Sequence, residues 1–267
     1  MNIEEKLQLL REETRTAGQI ILAFSGGVDS TLLAYLGQEE LGGSFQAITV
    51  DNGLQSKYDL ANACQIAACL GIRHKIVKVD SLQHEEVRGN TPRRCYFCKK
   101  ILLENLLMLA AQEGCQVWEG SHAEDYKQYR PGQQALLELG IISPLQIVGL
   151  NKKEIRQLAR ELGMPNWNAS ASPCLATRFP YGENLTPAIL GRVEGAEEII
   201  RKAGFHQFRV RAHGDLARIE VGAAERERFF DTNFMDDIEQ ALRGLGFIHV
   251  SLDLCGYRMG SMDMGIR

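Results

Sequence analysis

The chain has 267 residues, of which 45% are hydrophobic and 24% charged, and it carries a net charge of -4. That balance is ordinary for a globular protein and excludes a disordered chain. It also excludes a molecule that binds nucleic acid through overall positive charge, leaving only a local basic patch open.

The size suits one large domain, or a main domain with a small one. No apolar run approaches the roughly 20 residues that a membrane span needs. Met1 to Lys6 is polar and mixed in charge, without the basic start and apolar stretch of a secretory signal, so a cytoplasmic location is expected. Seven cysteines are spread over the chain. In a reducing compartment they are expected as thiols, metal ligands or catalytic groups.

Residues 3–17 place Ile3, Leu7 and Leu10 at helical spacing. The short apolar run 19–24 reads as a strand, followed by Ser25-Gly26-Gly27 and a helix from Asp29 through Leu36. Residues 45–50 read as a second strand ending at Asp51, 59–70 as a helix stopped by Gly71, and 74–79 as a third strand. A helix over 98–112, a strand over 115–120, a short strand or turn over 141–145 and a helix over 152–162 follow. Alternating strands and helices predict a doubly wound parallel sheet covered on both faces, an α/β fold. The proline-rich stretch 165–182 reads as a loop or linker. Beyond it the order is helix 187–203, strands 207–212 and 217–221, helix 234–243 and strand 247–252, a small α+β domain. The expected domains are 1–180 and 181–267.

In Ser25-Gly26-Gly27-Val28-Asp29-Ser30, two glycines let the backbone turn and expose N–H groups beside the positive end of a helix, a cradle for a phosphate chain. Ser25, Ser30 and Thr31 add hydroxyls, and Asp29 can help hold Mg2+. The Gly-Lys-Ser/Thr ending of a Walker loop and the dinucleotide spacing are both absent. The bland alternative is a plain strand-to-helix turn. After a strand, this motif resembles the pyrophosphatase loop (PP-loop) of the adenine-nucleotide α-hydrolase fold. That resemblance implies that ATP is cleaved between its α and β phosphates and that AMP is transferred to a substrate oxygen. It further implies that Asp51 lies by the adenosine. Ser121 and Asp125, together with Tyr129-Arg130-Pro131-Gly132, would form a later phosphate-side segment, and Lys152 would open a helix facing the nucleotide. For Lys152 and Lys153 the alternative is a solvated helix face.

Cys64, Cys69, Cys115 and Cys255 read as small core residues. Cys95 and Cys98 form a Cys-x-x-Cys among Arg93, Arg94, Lys99 and Lys100, with the helix expected to begin at Cys98. Such a pair can bind a metal or cluster or act in redox chemistry. Cys174 sits in a proline-flanked loop with Arg178 four residues on, either functional or buried at a domain junction. Three thiolates would suit a [4Fe-4S] cluster with one open iron.

The segment around Cys174 with Tyr181-Gly182-Glu183, Phe208-Arg209-Val210-Arg211 and Gly256-Tyr257-Arg258-Met259-Gly260-Ser261 is similar to the LarE family over nearly the whole chain. The family consists of ATP-dependent sulfur transferases that convert pyridinium-3,5-biscarboxylic acid mononucleotide to its thiocarboxylate form, on the way to a nickel-pincer nucleotide. The resemblance implies that Ser25 to Ser30 hold ATP and that Arg178 stands with the nucleotide-binding residues. It implies that Arg209 and Arg211 face the substrate's anionic groups, with Arg258 a further candidate. Glu197 or Glu198 would supply an acidic site residue. Cys174 matches the sulfur-giving cysteine of the single-cysteine branch. Cys95 and Cys98 depart from that branch and resemble the three-cysteine branch, where a [4Fe-4S] cluster carries an extra sulfide. A hexameric homo-oligomer is implied as well, with no membrane or nucleic-acid partner and the sulfide donor unspecified.

A carboxylate repels a thiolate. Adenylation neutralises it and installs AMP as leaving group, after which a sulfur nucleophile can attack the acyl carbon. The rival readings are sacrificial Cys174 as sulfur donor, tRNA thiolation, amidation with ammonia, and a nucleotide-sensing regulator.

Overall fold

A computed structural model describes residues 1–125, 131–170, 172–258 and 262. Tyr129, Arg130 and Met259-Gly260-Ser261 of the motifs above lie outside these residues. The elements run α1 (Ile3–Ala17), β1 (Ile20–Ala23), α2 (Val28–Leu41), β2 (Phe45–Asp51), α3 (Lys57–Cys69), β3 (His74–Lys78), α4 (Glu85–Arg88), α5 (Arg94–Glu113), β4 (Gln116–Trp118), α6 (Pro131–Glu138), α7 (Pro144–Ile147) and α8 (Lys152–Glu161). Then come a 3-10 turn (Leu175–Arg178), α9 (Pro187–Lys202), β5 (Phe208–His213), β6 (Leu216–Val221), α10 (Thr232–Gly244) and β7 (His249–Leu252).

The chain divides into two compact units, one of residues 1–87 and 93–172, the other of 88–92 and 173–267. The division falls at Pro173 rather than at residue 180. Residues 173–180 belong with the second unit because Arg178 and Thr177 are hydrogen-bonded to Glu197 and Arg211 there. Residues 88–92 join it through Leu185 N–H to Arg88 O and Gly182 N–H to Asn90 O.

In the first unit four parallel strands lie in the order β3-β2-β1-β4. Alternation along β1 feeds two cores. Ile20 and Leu22 join Leu10 of α1, Leu32, Leu33 and Leu36 of α2, and Ile155 and Leu158 of α8. Ile21 points to the other face, with Leu103, Leu106 and Ala110 of α5 and Leu136 of α6. Helices therefore cover both faces, as an all-parallel sheet requires. Strand order reverses between β1 and β4, and the crevice beyond the carboxyl ends of the strands at such a point is where doubly wound sheets bind ligands.

The second unit is a three-stranded sheet, β5 antiparallel to β6 and β6 parallel to β7. Its α9 packs on β5, burying Leu190, Val193, Ala196, Glu197 and Ile200.

Three expectations need correction. Cys69 and Cys255 are exposed and Cys64 is only partly buried, so of the four only Cys115, itself partly buried, packs against a core. The helix α5 begins at Arg94, not at Cys98, because the Arg93 carbonyl already accepts from Tyr96 and Phe97 N–H. The short strand or turn expected at 141–145 is a single bridge at Ile142 followed by the one-turn helix α7, with Pro144 at the helix start.

Candidate active site

The loop after β1 opens onto the reversal point. Gly26 has φ +73°, in the left-handed region, and a Cβ there would lie 2.9 Å from Ala63 Cα, so both conformation and space demand glycine. Gly27 is the N-cap of α2 and contributes no side-chain cap. The first N–H groups of α2 therefore face the crevice without a side chain over them, the arrangement that takes anions. The loop is braced from within. Ser25 and Ser30 hydroxyls lie 3.1 Å apart, Ser25 Oγ accepts from Gly27 N–H at 3.3 Å, and Ser30 Oγ donates to Gly27 O at 3.1 Å. Across the crevice, a Cβ on Gly120 would stand 3.1 Å from Ser30 N, so the end of β4 reaches the loop at backbone distance.

Asp29, in the first turn of α2, is gripped by Lys152, whose Nζ lies 2.7 and 2.6 Å from its two carboxylate oxygens. Lys152 is the first helical residue of α8, which Asn151 and Glu154 close with a capping box. Lys6 adds a 2.8 Å bond to Glu154. The structure thus joins two sequence candidates that stand 123 positions apart.

Glu119, just past β4, escapes a reading of the sequence alone. It is buried, and its carboxylate accepts from Ser121 N–H and Oγ at 2.8 and 2.9 Å, Ser143 Oγ at 2.5 Å and Lys99 Nζ at 3.1 Å. Burial opposes its ionisation, but the Lys99 charge and the Ser143 and Ser121 bonds outweigh that and hold its pKa below the ordinary value. Ser121 is thereby tied to Glu119, and Asp125 Oδ2 accepts from His122 N–H at 3.0 Å. Asp51 closes β2 and accepts from Gly53 N–H at 3.2 Å. Pro131 and Gly132 start α6, where a Cβ on Gly132 would meet Lys99 Cδ at 3.1 Å. Their observed part is packing on α5.

Cys95 and Cys98 lie in the first two turns of α5, three positions apart and so on one face. Asn52, just past β2, directs Nδ2 to Cys98 Sγ at 3.2 Å, and Arg94 Nη2 lies 3.6 Å from Cys95 Sγ.

Cys174 belongs to the second unit, as N-cap of the 3-10 turn. Arg178, 2% exposed, fixes that turn. Its Nη1 donates to Pro173 O at 2.6 Å and Cys174 O at 3.0 Å, while Nε and Nη2 grip the Glu197 carboxylate at 2.9 and 3.0 Å. Its guanidinium holds the cysteine's backbone, an arrangement that the sequence does not suggest. Glu197 is the buried acid and also accepts from Val210 N–H, whereas Glu198 pairs with Arg201 and Lys202 at the surface. Arg211 is buried against Glu220 at 2.9 and 3.0 Å and donates to Thr177 O. Arg209 stacks over Tyr257 at 5.3 Å, and burial, then the neighbouring Arg178 charge, push its pKa down. Arg258 is exposed.

Among the described residues no three His, Cys, Asp or Glu are grouped to hold a metal ion. A cleft of ≈ 330 Å3 lined by Gln19, Ser44, Arg73, Glu113 and Cys115 opens at the amino ends of the strands, the end away from the reversal-point crevice. Among the described residues no helix is long and apolar enough to cross a membrane.

The NAD synthase family model matches residues 2–106. The chain is 37% identical to pyridinium-3,5-bisthiocarboxylic acid mononucleotide synthase of Lactiplantibacillus plantarum, over 92% of this chain and 89% of that one. It is 38% identical to an uncharacterized protein of Synechocystis over 98% of both chains. It is 28% identical to a glutamine-hydrolyzing GMP synthase chain of Methanococcus vannielii over 76% of this chain and 67% of that one. The open helix start at the crevice, the loop sequence that builds it and the near full-length identity agree, and the chain belongs to the LarE family of ATP-using PP-loop sulfurtransferases.

Proposed function

We propose that this chain adenylates the carboxylates of pyridinium-3,5-biscarboxylic acid mononucleotide and converts them to thiocarboxylates. The observation that carries the reading is the 37% identity to the bisthiocarboxylate synthase, spanning both units. A substrate carboxylate oxygen attacks the α phosphorus of ATP and pyrophosphate leaves. The loop N–H groups, Ser25, Ser30 and Lys152 receive the phosphates, and Asp29 and the phosphates take Mg2+. Sulfide sulfur then attacks the acyl carbon and AMP leaves with the bonding pair. Asp51 stands at the adenosine side, and Ser121 and Asp125 line the crevice wall. Arg209, with Arg211 and Arg258, receives the substrate's anionic groups.

For the sulfur, the donor set of α5 fits a cluster: two thiols on one helix face, with an amide and a guanidinium N–H directed at sulfur. Cys95, Cys98 and Cys174 would ligate a [4Fe-4S] cluster, which supplies an open iron for an extra sulfide. Amidation would leave these cysteines without a role. The active form is a homo-oligomer, a hexamer on the family pattern, located in the cytoplasm.

The test is anaerobic turnover of the pyridinium nucleotide with ATP and sulfide, following AMP, pyrophosphate and thiocarboxylate. Cys95→Ser should abolish multiple turnover. Undiminished multiple turnover in that variant overturns the cluster reading. A Cys174 found by mass spectrometry to have lost the elements of hydrogen sulfide would assign the sulfur to that residue instead.

A further inference from the structure

The loop's weakest point is the Gly26–Gly27 peptide. Two glycines in a row allow this peptide plane to rotate about its flanking bonds at little steric cost. The rotated form would break the Gly27 N–H bond to Ser25 Oγ, turn Gly26 C=O away from its buried side and set a carbonyl dipole against a polyphosphate. Something must hold the plane.

Asn166 does so from outside the loop. It lies beyond α8, in the stretch read from sequence only as a linker, and it is buried. Its Nδ2 donates to Gly26 O at 2.9 Å and to Thr31 Oγ1 at 2.9 Å. A carbonyl only accepts, so the atom facing Gly26 O is the amide nitrogen and its two hydrogens are both used. The other end of the peptide is held by Ser25 Oγ on Gly27 N–H. Asn166 Oδ1, in contrast, is buried with no hydrogen-bond partner among the described residues. The amide is there for its two N–H groups. The segment around it is itself fixed to α8, by Arg156 Nη2 on Ala169 O at 3.0 Å and by Arg160 stacked over Trp167 at 5.3 Å.

We propose that Asn166 is a positioning residue of the nucleotide loop, which locks the Gly26–Gly27 peptide so that N–H groups face the phosphates before ATP arrives. This rests on the reading of the loop as the ATP site.

Asn166→Asp keeps the shape, removes both donors and sets an acceptor against Gly26 O. Titration calorimetry with a non-hydrolysable ATP analogue at pH 8 should show affinity at least tenfold weaker than the wild type. Lowering the pH toward 5.5 should narrow that gap, because a protonated carboxyl regains one donor. Asn166→Ala should be weakened severalfold with no such pH dependence. The KM for the pyridinium nucleotide should stay within twofold in each variant. Wild-type affinity in both Asn166 variants, or a deficit in Asn166→Asp that ignores pH, overturns the proposal. If Asn166→Asp fails to fold, the alanine variant decides alone, through its ATP affinity. A wild-type protein that binds no ATP analogue would instead overturn the reading of the loop itself.

Discussion

The pair Arg178–Glu197 permits a quantitative test of what holds the Cys174 turn. Both side chains are almost fully buried, at 3% and 5% exposed, and two charge-assisted bonds of 2.9 and 3.0 Å join them. Each such bond contributes about 1.5–3 kcal/mol, and removing one member of a buried pair costs about 3–5 kcal/mol. Glu197→Gln keeps an oxygen for Val210 N–H but removes the counter-charge beside the guanidinium. Arg178→Met leaves a carboxylate in the same enclosed place. Each single change should therefore cost about 3–5 kcal/mol. The double variant should be more stable than either single one, with a coupling of at least about 2 kcal/mol. Both tryptophans, Trp118 and Trp167, lie in the first unit. Urea unfolding of the single variants should therefore move the circular-dichroism transition of the second unit while leaving tryptophan emission near its wild-type midpoint. A single-variant loss under about 1 kcal/mol, or strictly additive losses, would refute the assignment of this pair as the brace of the turn.

The buried Glu119 gives the first unit an acid limit. Its folded pKa lies below the unfolded value, so its contribution is complete above about pH 4.3 and is lost as pH falls through the lower, folded value. Tryptophan-monitored urea midpoints should fall below that pH, and Glu119→Gln should flatten part of the fall. An unchanged slope would remove Glu119 from the account. Lys152→Met should cost at most about 1 kcal/mol of stability, because the Asp29 pair is partly exposed. If Lys152 also meets phosphate, the same variant should weaken ATP binding about 10- to 100-fold in calorimetry, as expected from losing one charge-assisted bond.

Much of the first unit is legible in the sequence because β1 and β2 are short apolar runs closed by a glycine or acidic turn. The loop is legible for a similar reason, since only glycine can follow β1 with φ +73° against Ala63. Strand order is not legible, because apolar runs say nothing about neighbours. Glu119 and Asn166 stay hidden because their partners are distant in sequence, 24 residues to Ser143 and 140 to Gly26. The choice between Glu197 and Glu198 is readable. Val193, Ala196, Glu197 and Ile200 share one face of α9, and the spacing i, i+3, i+4, i+7 places Glu197 inward. The family resemblance sets Arg178 among the nucleotide-binding residues, yet its guanidinium is engaged by Glu197 and by the backbone of its own turn.

The direction in which α5 runs has a consequence of its own. A connection between parallel strands leaves one strand at its carboxyl end and must return to the amino end of the next. Since α5 carries the chain from β3 back to β4, its first turn is bound to lie at the rim where β1 and β2 release their loops, and the Asn52–Cys98 contact marks that meeting. The helix has 20 residues, about 30 Å at 1.5 Å per residue. The same two cysteines placed in its last turn would stand beneath the sheet, a full helix length from any nucleotide at the rim. Chain polarity alone thus puts the Cys-x-x-Cys at the rim of the crevice beyond the carboxyl ends of the strands, and a circular permutant opened within α5 would show whether that placement survives when the crossover is cut.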